Sequence, residues 1–352
     1  MNTLSGFGYE QNLKSPAEAF ATTYENKTFI NGPAVAKFEK QFKEYVGAED
    51  CVAVSSCTSA LQLSLLALGV GPGDEVITVP YTWVSTVEVI KQVGAQPVFV
   101  DINKNDLCID VEKVDQALTS KTKAIIPVDL YGNVADIDNL KKYDIPIIQD
   151  SAQSTGATYK GKRVGSLAHL TCFSFYPTKN LGYWGDAGAV TGDAEYCETV
   201  RALRNHGQTN KFNIKQVGWN ARMDSIQAEV LLNKLPLLET HNKRRREIAS
   251  MYNQALGDLV STPFENKDSM HVYHQYVLHS KQINKIKDAL ANNDIQSRTY
   301  YPVPLNKYKP YYSDQHFENS TFAGQQGLAI PVHQYLTNDE VKLIIRTIRE
   351  AI

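Results

Sequence analysis

Between residues 51 and 191 short apolar runs alternate with amphipathic stretches, and no other property of the chain narrows its fold as much. Runs at 51–54, 75–79, 97–100, 124–128, 145–149, 171–175 and 187–191 read as buried strands, whereas 59–68, 83–93 and 111–118 carry apolar residues at helical spacing. Strand–helix units repeated at this interval predict an α/β fold, a mostly parallel sheet flanked by helices on both faces. The turn Gly71-Pro72-Gly73-Asp74 separates a helix from a strand. After Met223 the rhythm changes. Ile226, Val230, Leu231, Leu235 and Leu238 share one side of a long helical stretch, followed by the basic run 243–246 and a polar segment at 257–270. A strand at 272–278 and helices at 283–291 and 339–348 complete the pattern. At 352 residues the chain exceeds what one core usually serves. The expectation is a large domain, 1–235, and a smaller C-terminal α+β domain, 236–352.

Composition narrows the partners. A hydrophobic share of 43%, a charged share of 21% and a formal net charge of -2 are ordinary for a globular protein. They provide no general attraction to nucleic acid or to an acidic membrane, so a charged ligand must be met by local groups. Five cysteines (Cys51, Cys57, Cys108, Cys172, Cys197) show no paired spacing, which argues against a disulfide framework and for a reducing compartment. No stretch is long and apolar enough for a bilayer, and residues 1–15 lack the basic and apolar regions of a leader. A cytoplasmic protein is expected, bound to neither membrane nor nucleic acid.

The chemistry lies where strands end. The strand at 171–175 breaks at Pro177 into a turn that carries Lys179, and an amine held on such a turn can form a Schiff base with an aldehyde cofactor. The run before Gln149 ends in Gln149-Asp150-Ser151-Ala152-Gln153, which puts a carboxylate at the crevice of an open α/β sheet. A lysine for the aldehyde and an aspartate for a pyridine nitrogen are what pyridoxal phosphate requires. Ser55 to Ala60 joins a strand to a helix and offers an anion site by its backbone N–H groups and dipole, although for this segment alone a simple N-cap by Thr58 or Ser59 is the favoured reading. Ser174 can add a hydroxyl to the same anion. Trp83 can cover the face of a heteroaromatic ring, and Gln153 can bond its phenolic oxygen. Singly, each has a plainer role: a turn for Asp150, a solvated surface lysine for Lys179, core packing for Trp83. Their joint order on strand ends favours the functional reading.

Several segments together carry a family resemblance. Residues 58–86 (TSALQLSLLALGVGPGDEVITVPYTWVST), 97–102 (PVFVDI), 147–166, 172–182 (CFSFYPTKNLG), 204–208 (RNHGQ) and 217–231 resemble the sugar aminotransferases of the DegT/DnrJ/EryC1/StrS family. These are vitamin B6 enzymes of fold type I, the aspartate-aminotransferase fold. The likeness runs from Phe29-Ile30-Asn31-Gly32-Pro33 to Ile330-Pro331-Val332-His333.

The resemblance implies a role for each matching position. Lys179 corresponds to the Schiff-base lysine, Asp150 to the partner of the pyridine nitrogen, Gln153 to the neighbour of the ring oxygen and Trp83 to the stacked aromatic residue. Thr58, Ser59 and Ser174 match phosphate ligands, and Asn220 matches the asparagine that reaches the neighbouring subunit's cofactor, which implies a homodimer with shared sites. The sequence departs from the family at Ser56-Cys57, where Asn-Gly is common, and at Asn306, where a histidine is common. Tyr300, Tyr301 and His333 remain for the sugar. The implied cofactor is pyridoxal 5'-phosphate, alternating with pyridoxamine 5'-phosphate. The implied reaction moves the amino group of L-glutamate to a nucleotide-linked 4-keto-6-deoxyhexose. Residues 180–188 also resemble members that aminate C3. A sugar dehydratase of the same fold is disfavoured by Lys179, where that group has a histidine. A nicotinamide dehydrogenase lacks its glycine fingerprint here, and a DNA-binding regulator lacks its added segment.

Overall fold

The computed structural model describes residues 4–5, 16–182 and 184–352. Most of the N-terminal stretch 1–15, read above as lacking a leader, and Tyr183 of the segment 180–188 lie outside the described residues. Seven strands form the central layer: β1 (Asp50–Val54), β2 (Glu75–Thr78), β3 (Gln96–Phe99), β4 (Thr122–Ile125), β5 (Ile148–Asp150), β6 (Leu170–Ser174) and β7 (Gly188–Gly192). One sheet segment has the order β1-β7-β6-β5 and another β3-β2-β4; parallel bridges Ile125 to Ile147 and Val128 to Asp150 join them. The pairs β2–β3, β2–β4 and β5–β6 are parallel, whereas β7 runs against both β1 and β6. β5, β6 and β7 are buried throughout, the signature of strands covered on both faces.

Helices α1 (Pro16–Asn26), α2 (Pro33–Val46), α3 (Cys57–Ala67), α4 (Ser85–Gln92), α5 (Ala194–Leu203) and α6 (Ser225–Lys234) accompany this sheet. α2 starts at a proline, ends on Gly47 in the left-handed region, and buries Val35, Phe38, Phe42 and Val46 at helical spacing. Its rings meet the strand that leads to the turn. Phe42 lies edge-on to Phe173 at 5.0 Å, and Phe38 to Phe175 at 5.4 Å. Edge-to-face pairs at these distances fix the end of β6 laterally.

A 19-residue helix, α7 (Leu238–Leu256), leads into the C-terminal part, where β8 (Tyr276–His279) pairs antiparallel with β9 (Gly327–Ile330), α8 (Ile283–Asn292) packs on α10 (Asn338–Ala351), and α9 (Glu318–Gln326) runs into β9. Ile248, Tyr252, Tyr276, Leu290, Leu328 and Ile344 form a separate hydrophobic cluster there. Thr337 and Glu340 close a capping box at the start of α10.

Two expected elements differ. Residues 111–118 form two short 3-10 turns, Val111–Lys113 and Asp115–Ala117, and not an α-helix. Only Val114 in that stretch is buried, and a single anchor does not hold so short a helix. The strand expected from 272 begins at Tyr276, because the Val272 N–H donates to the Gly132 carbonyl and the Gln275 N–H to that of Tyr131. Gly132, at φ +106°, lies so close that a Cβ there would sit 2.8 Å from the Tyr273 nitrogen.

Candidate active site

Lys179 and Asp150 face one cavity, about 470 Å³ in volume, at the ends of β5 and β6. The same wall includes Thr58, Trp83, Gln153, Ser174, Tyr300 and Tyr301, so the structure gathers most of the residues singled out in the sequence.

The turn that carries the lysine is held on three sides. The Lys179 N–H donates to the Tyr176 carbonyl at 2.8 Å, and the Asn180 amide donates to Asn242 Oδ1 at 2.7 Å and to the Val272 carbonyl at 3.0 Å. Gly182 is required by close approach, since a Cβ there would meet the Pro177 carbonyl oxygen at 2.4 Å. The amine itself makes no ion pair or hydrogen bond with another described residue. Burial pulls its pKa down to about 8, against the opposing pull of Cys57 and Asp150.

Asp150, 4% exposed, ends β5. Thr86 Oγ1 donates to its Oδ2 at 2.7 Å, and the Ala152 N–H to its Oδ1 at 3.2 Å. Thr82 is bonded in turn to Thr86, hydroxyl to hydroxyl, at 2.9 Å. Burial raises the Asp150 carboxyl above the usual range, while Thr86, Ala152 and the nearby Lys179 oppose that shift by favouring the charged form. Behind it Asp129, fully buried, accepts hydrogen bonds from Gln149, Ser151, Ser154 and the Ala135 N–H, which immobilises the loop carrying Gln153. Gln153 accepts from the Tyr131 N–H at 2.7 Å and donates to the Tyr301 hydroxyl at 3.2 Å, so its NH₂ group points along the cavity wall.

At the opposite side α3 begins. Its N-cap is Ser56, whose hydroxyl accepts from the Ser59 N–H at 3.0 Å; neither Thr58 nor Ser59 is the cap. Ser59 bonds to Ser55 and Ser56 and lies outside the cavity lining, whereas Thr58 lines it with its hydroxyl on Ser85 at 2.9 Å. The Cys57 and Thr58 N–H groups, in the first turn of the helix, have no intrahelical acceptor. Cys57 fits here without glycine's freedom because it already has helical geometry; its thiol is 4.0 Å from Asp150 Oδ1.

The remaining residues separate. Trp83, 58% exposed, is tilted 43° to Tyr301 at 6.1 Å. Asn220 is exposed, accepts a hydrogen bond from Arg222 and lies outside the cavity of its own chain. His333 is buried beside Tyr335, with its Nδ1 accepting from the Tyr335 N–H, also away from the cavity lining. Asn306 is buried and donates to the Ser313 and Gln315 carbonyls, a loop-holding role. Sequence reading missed Thr86, His274, Gln275 and Arg298. Thr86 has a signal, one turn beyond Trp83 on a helix at a strand end; the others lie in stretches with no local pattern.

The donor set fits a phosphorylated pyridine aldehyde. A free amine of lowered pKa, a hydrogen-bonded buried carboxylate and a helix N-terminus with hydroxyls border one space of sufficient volume. On a sheet of this order, such a site belongs to the fold type I transferases that depend on pyridoxal 5'-phosphate. The chain is a member of the DegT/DnrJ/EryC1/StrS aminotransferase family, whose model matches residues 11–349. It is 39% identical over 324 residues to the UDP-2-acetamido-2-deoxy-3-oxo-D-glucuronate aminotransferase of Pseudomonas aeruginosa, covering 90% of each chain. It is 35% identical to the dTDP-3-amino-3,4,6-trideoxy-alpha-D-glucose transaminase of Streptomyces venezuelae, covering 97% of this chain and 93% of that one. The structure of NtdA from Bacillus subtilis with bound cofactor PMP superposes with a TM-score of 0.89 at 27% identity, covering 98% of this chain and 87% of that one. The protein is therefore an aminotransferase, and its cofactor is pyridoxal 5'-phosphate. Among the described residues no helix is long and apolar enough to cross a membrane, no group of side chains could hold a metal ion, and all five cysteines are free and buried.

Proposed function

We propose that the protein transfers the amino group of L-glutamate to the keto carbon of a nucleotide-linked hexose. The observation that carries this reading is the pairing of Lys179 and Asp150 across one cavity, with burial pulling the amine's pKa down to about 8. When bound, pyridoxal phosphate supplies an electron sink and a carrier for the amino group. Lys179 would hold the aldehyde, and its amine, with a pKa pulled down to about 8 by burial, would be suited to taking up and returning a proton at Nζ. Asp150 would keep the pyridine nitrogen protonated, with Thr86 and the Ala152 N–H favouring its charged form and fixing its orientation. Thr58, Ser174 and the first turn of α3 would hold the phosphate, with Ser59 supporting Ser56 at that turn, and Trp83 and Gln153, which line the same cavity, would serve the ring. Tyr300 and Tyr301, which line the cavity, would face the sugar.

For the position of the keto group we propose C3. The two relatives named above act, by their names, on a 3-oxo and a 3-amino sugar, which supports C3 beside the C4 reading that the resemblance implied first. Amination at C4 is the second reading, from the family's general habit. We also propose a cytoplasmic homodimer in which Asn220 completes the partner's site. Asn220 is exposed away from its own cavity, and Phe212, Ile214 and Val217 nearby are 65–85% exposed, an apolar surface suited to a second copy.

The test uses ¹⁵N-labelled L-glutamate with nucleotide-linked 3-keto and 4-keto hexoses, and NMR of the product. Label on C3 is expected. Label on C4 selects the second reading, and no label on any sugar overturns the assignment of the acceptor.

A further inference from the structure

We propose that Arg298 anchors a carboxylate of the amino donor, and that the chamber it shares with His274 and Gln275 beside Lys179 is the donor's binding site. The inference rests on the reading of an amino-acid donor given above.

A second cavity, about 570 Å³ in volume, adjoins the first. The two share Thr178, His274, Gln275, Arg298 and Tyr300, so this group forms a common wall between them. Thr178 precedes the reactive lysine, and the His274 ring lies within electrostatic reach of the Lys179 amine. A ligand in the chamber is therefore next to the reacting centre.

The charges in this space are few. Among the described residues lining the two cavities, Lys179 and Arg298 are the cations, and Asp150 and Asp186 the carboxylates. Both carboxylates border only the first cavity. His274 is held neutral because burial lowers its pKa well below the usual range, which leaves Arg298 as the one charge among the described residues that line the second chamber. Among the described residues its guanidinium has no ion-pair or hydrogen-bond partner; it lies 5.9 Å from the centre of the Tyr300 ring. Its backbone, in contrast, is fixed by reciprocal hydrogen bonds with Ala329 at 3.1 and 2.8 Å. Beside it, His274 and Gln275 are 3% and 7% exposed, and His274 Nδ1 and Gln275 Oε1 have no hydrogen-bond partner. Buried polar atoms are seldom left so unless a ligand or water meets them.

A dicarboxylic amino donor needs this combination. It brings two negative charges to a protein that carries a net charge of -2 and provides no long-range attraction. A planar guanidinium with all its donors free is the side chain best matched to a carboxylate, and the polar atoms of His274 and Gln275 can bond the donor's remaining groups.

The experiment compares the wild-type holoenzyme with Arg298→Gln and Arg298→Lys, following each half-reaction separately through the cofactor's absorbance. L-Glutamate alone drives the first half, a nucleotide-linked keto sugar the second, and glutarate serves as a dicarboxylate competitor that cannot react. In Arg298→Gln the second-order rate constant with glutamate is expected to fall roughly 10- to 100-fold, as for loss of a charge-assisted contact. Glutarate inhibition should weaken by a similar factor, the sugar half-reaction should stay within about twofold, and Arg298→Lys should recover part of the loss. An unchanged glutamate half-reaction would overturn the proposal, as would a loss confined to the sugar half-reaction, which would assign the guanidinium to the sugar's diphosphate. Should the wild-type enzyme take nitrogen only from a monocarboxylic amino acid, the glutamate reading fails; the same comparison with that donor then decides the role of Arg298.

Discussion

The two sides of the active-site cavity are built differently. Around Asp150 the polar groups are closed off by protein: Thr86, Thr82 and the Ala152 N–H serve the carboxylate, and the Asp129 knot serves the loop behind it. Around Arg298 they are left open, with a guanidinium lacking a hydrogen-bonding partner and unpaired atoms on His274 and Gln275. A group that remains bound through the catalytic cycle is met by a wall organised in advance, which lowers the cost of ordering it. Substrates that come and go meet a wall whose polar groups are still to be satisfied.

The contrast predicts a gradient of mutational effects. Lys179→Ala should lose the borohydride-trappable visible chromophore and at least about 1,000-fold in turnover, since the covalent and proton-transfer roles go together. Normal turnover in that variant would remove the basis of the assignment. Asp150→Asn, nearly the same shape without the charge, should keep the fold by circular dichroism yet lower kcat on the order of 100-fold. Thr86→Val leaves the carboxylate short of one hydroxyl donor; cofactor affinity should drop about tenfold, with Thr86→Ser restoring it. If Val and Ser variants bind the cofactor alike, the wall around Asp150 is not organised as described.

A pH effect tests the burial of the lysine. In the protein stripped of cofactor, Lys179 titrates near 8 when folded and near its ordinary 10.5 when unfolded. Between those values the unfolded chain binds the extra proton, so stability should climb from pH 8 to 10.5, by on the order of 1–3 kcal/mol. Denaturant midpoints measured across that window, with Lys179→Met as the control lacking the slope, check the sign. The smallest effect belongs to the exposed ring: Trp83→Phe retains a stacking face and should change cofactor affinity only a few-fold by fluorescence titration.

Much of the cavity wall around Lys179 and Asp150 was legible in the chain. Lys179, Asp150, Ser174 and Trp83 follow strand or turn signals, and open α/β sheets place ligands at strand ends. The cap shows where that reading stops. Thr58 and Ser59 were equally suited by type, and only the turn into α3 selects Ser56. The substrate side was less accessible. Tyr300 and Tyr301 reach the cavity, while His333, from a segment of equal promise, turns into the interior beside Tyr335. Arg298 and Gln275 belong to strand-like or irregular stretches where nothing local marks an inward residue.

Local periodicity, turn residues and the spacing of Asp150 and Lys179 determined the layered α/β class and its cofactor, because these depend on contacts between residues near in sequence or on strand ends that the fold aligns. The tertiary structure decided which side chains of the C-terminal part face the lysine. That choice depends on how Val272 and Gln275 dock on the 131–132 turn and how Asn180 ties the lysine loop to Asn242. Such contacts span 62 to more than a hundred positions of chain. Their orientation is set by packing, which no short stretch of sequence encodes.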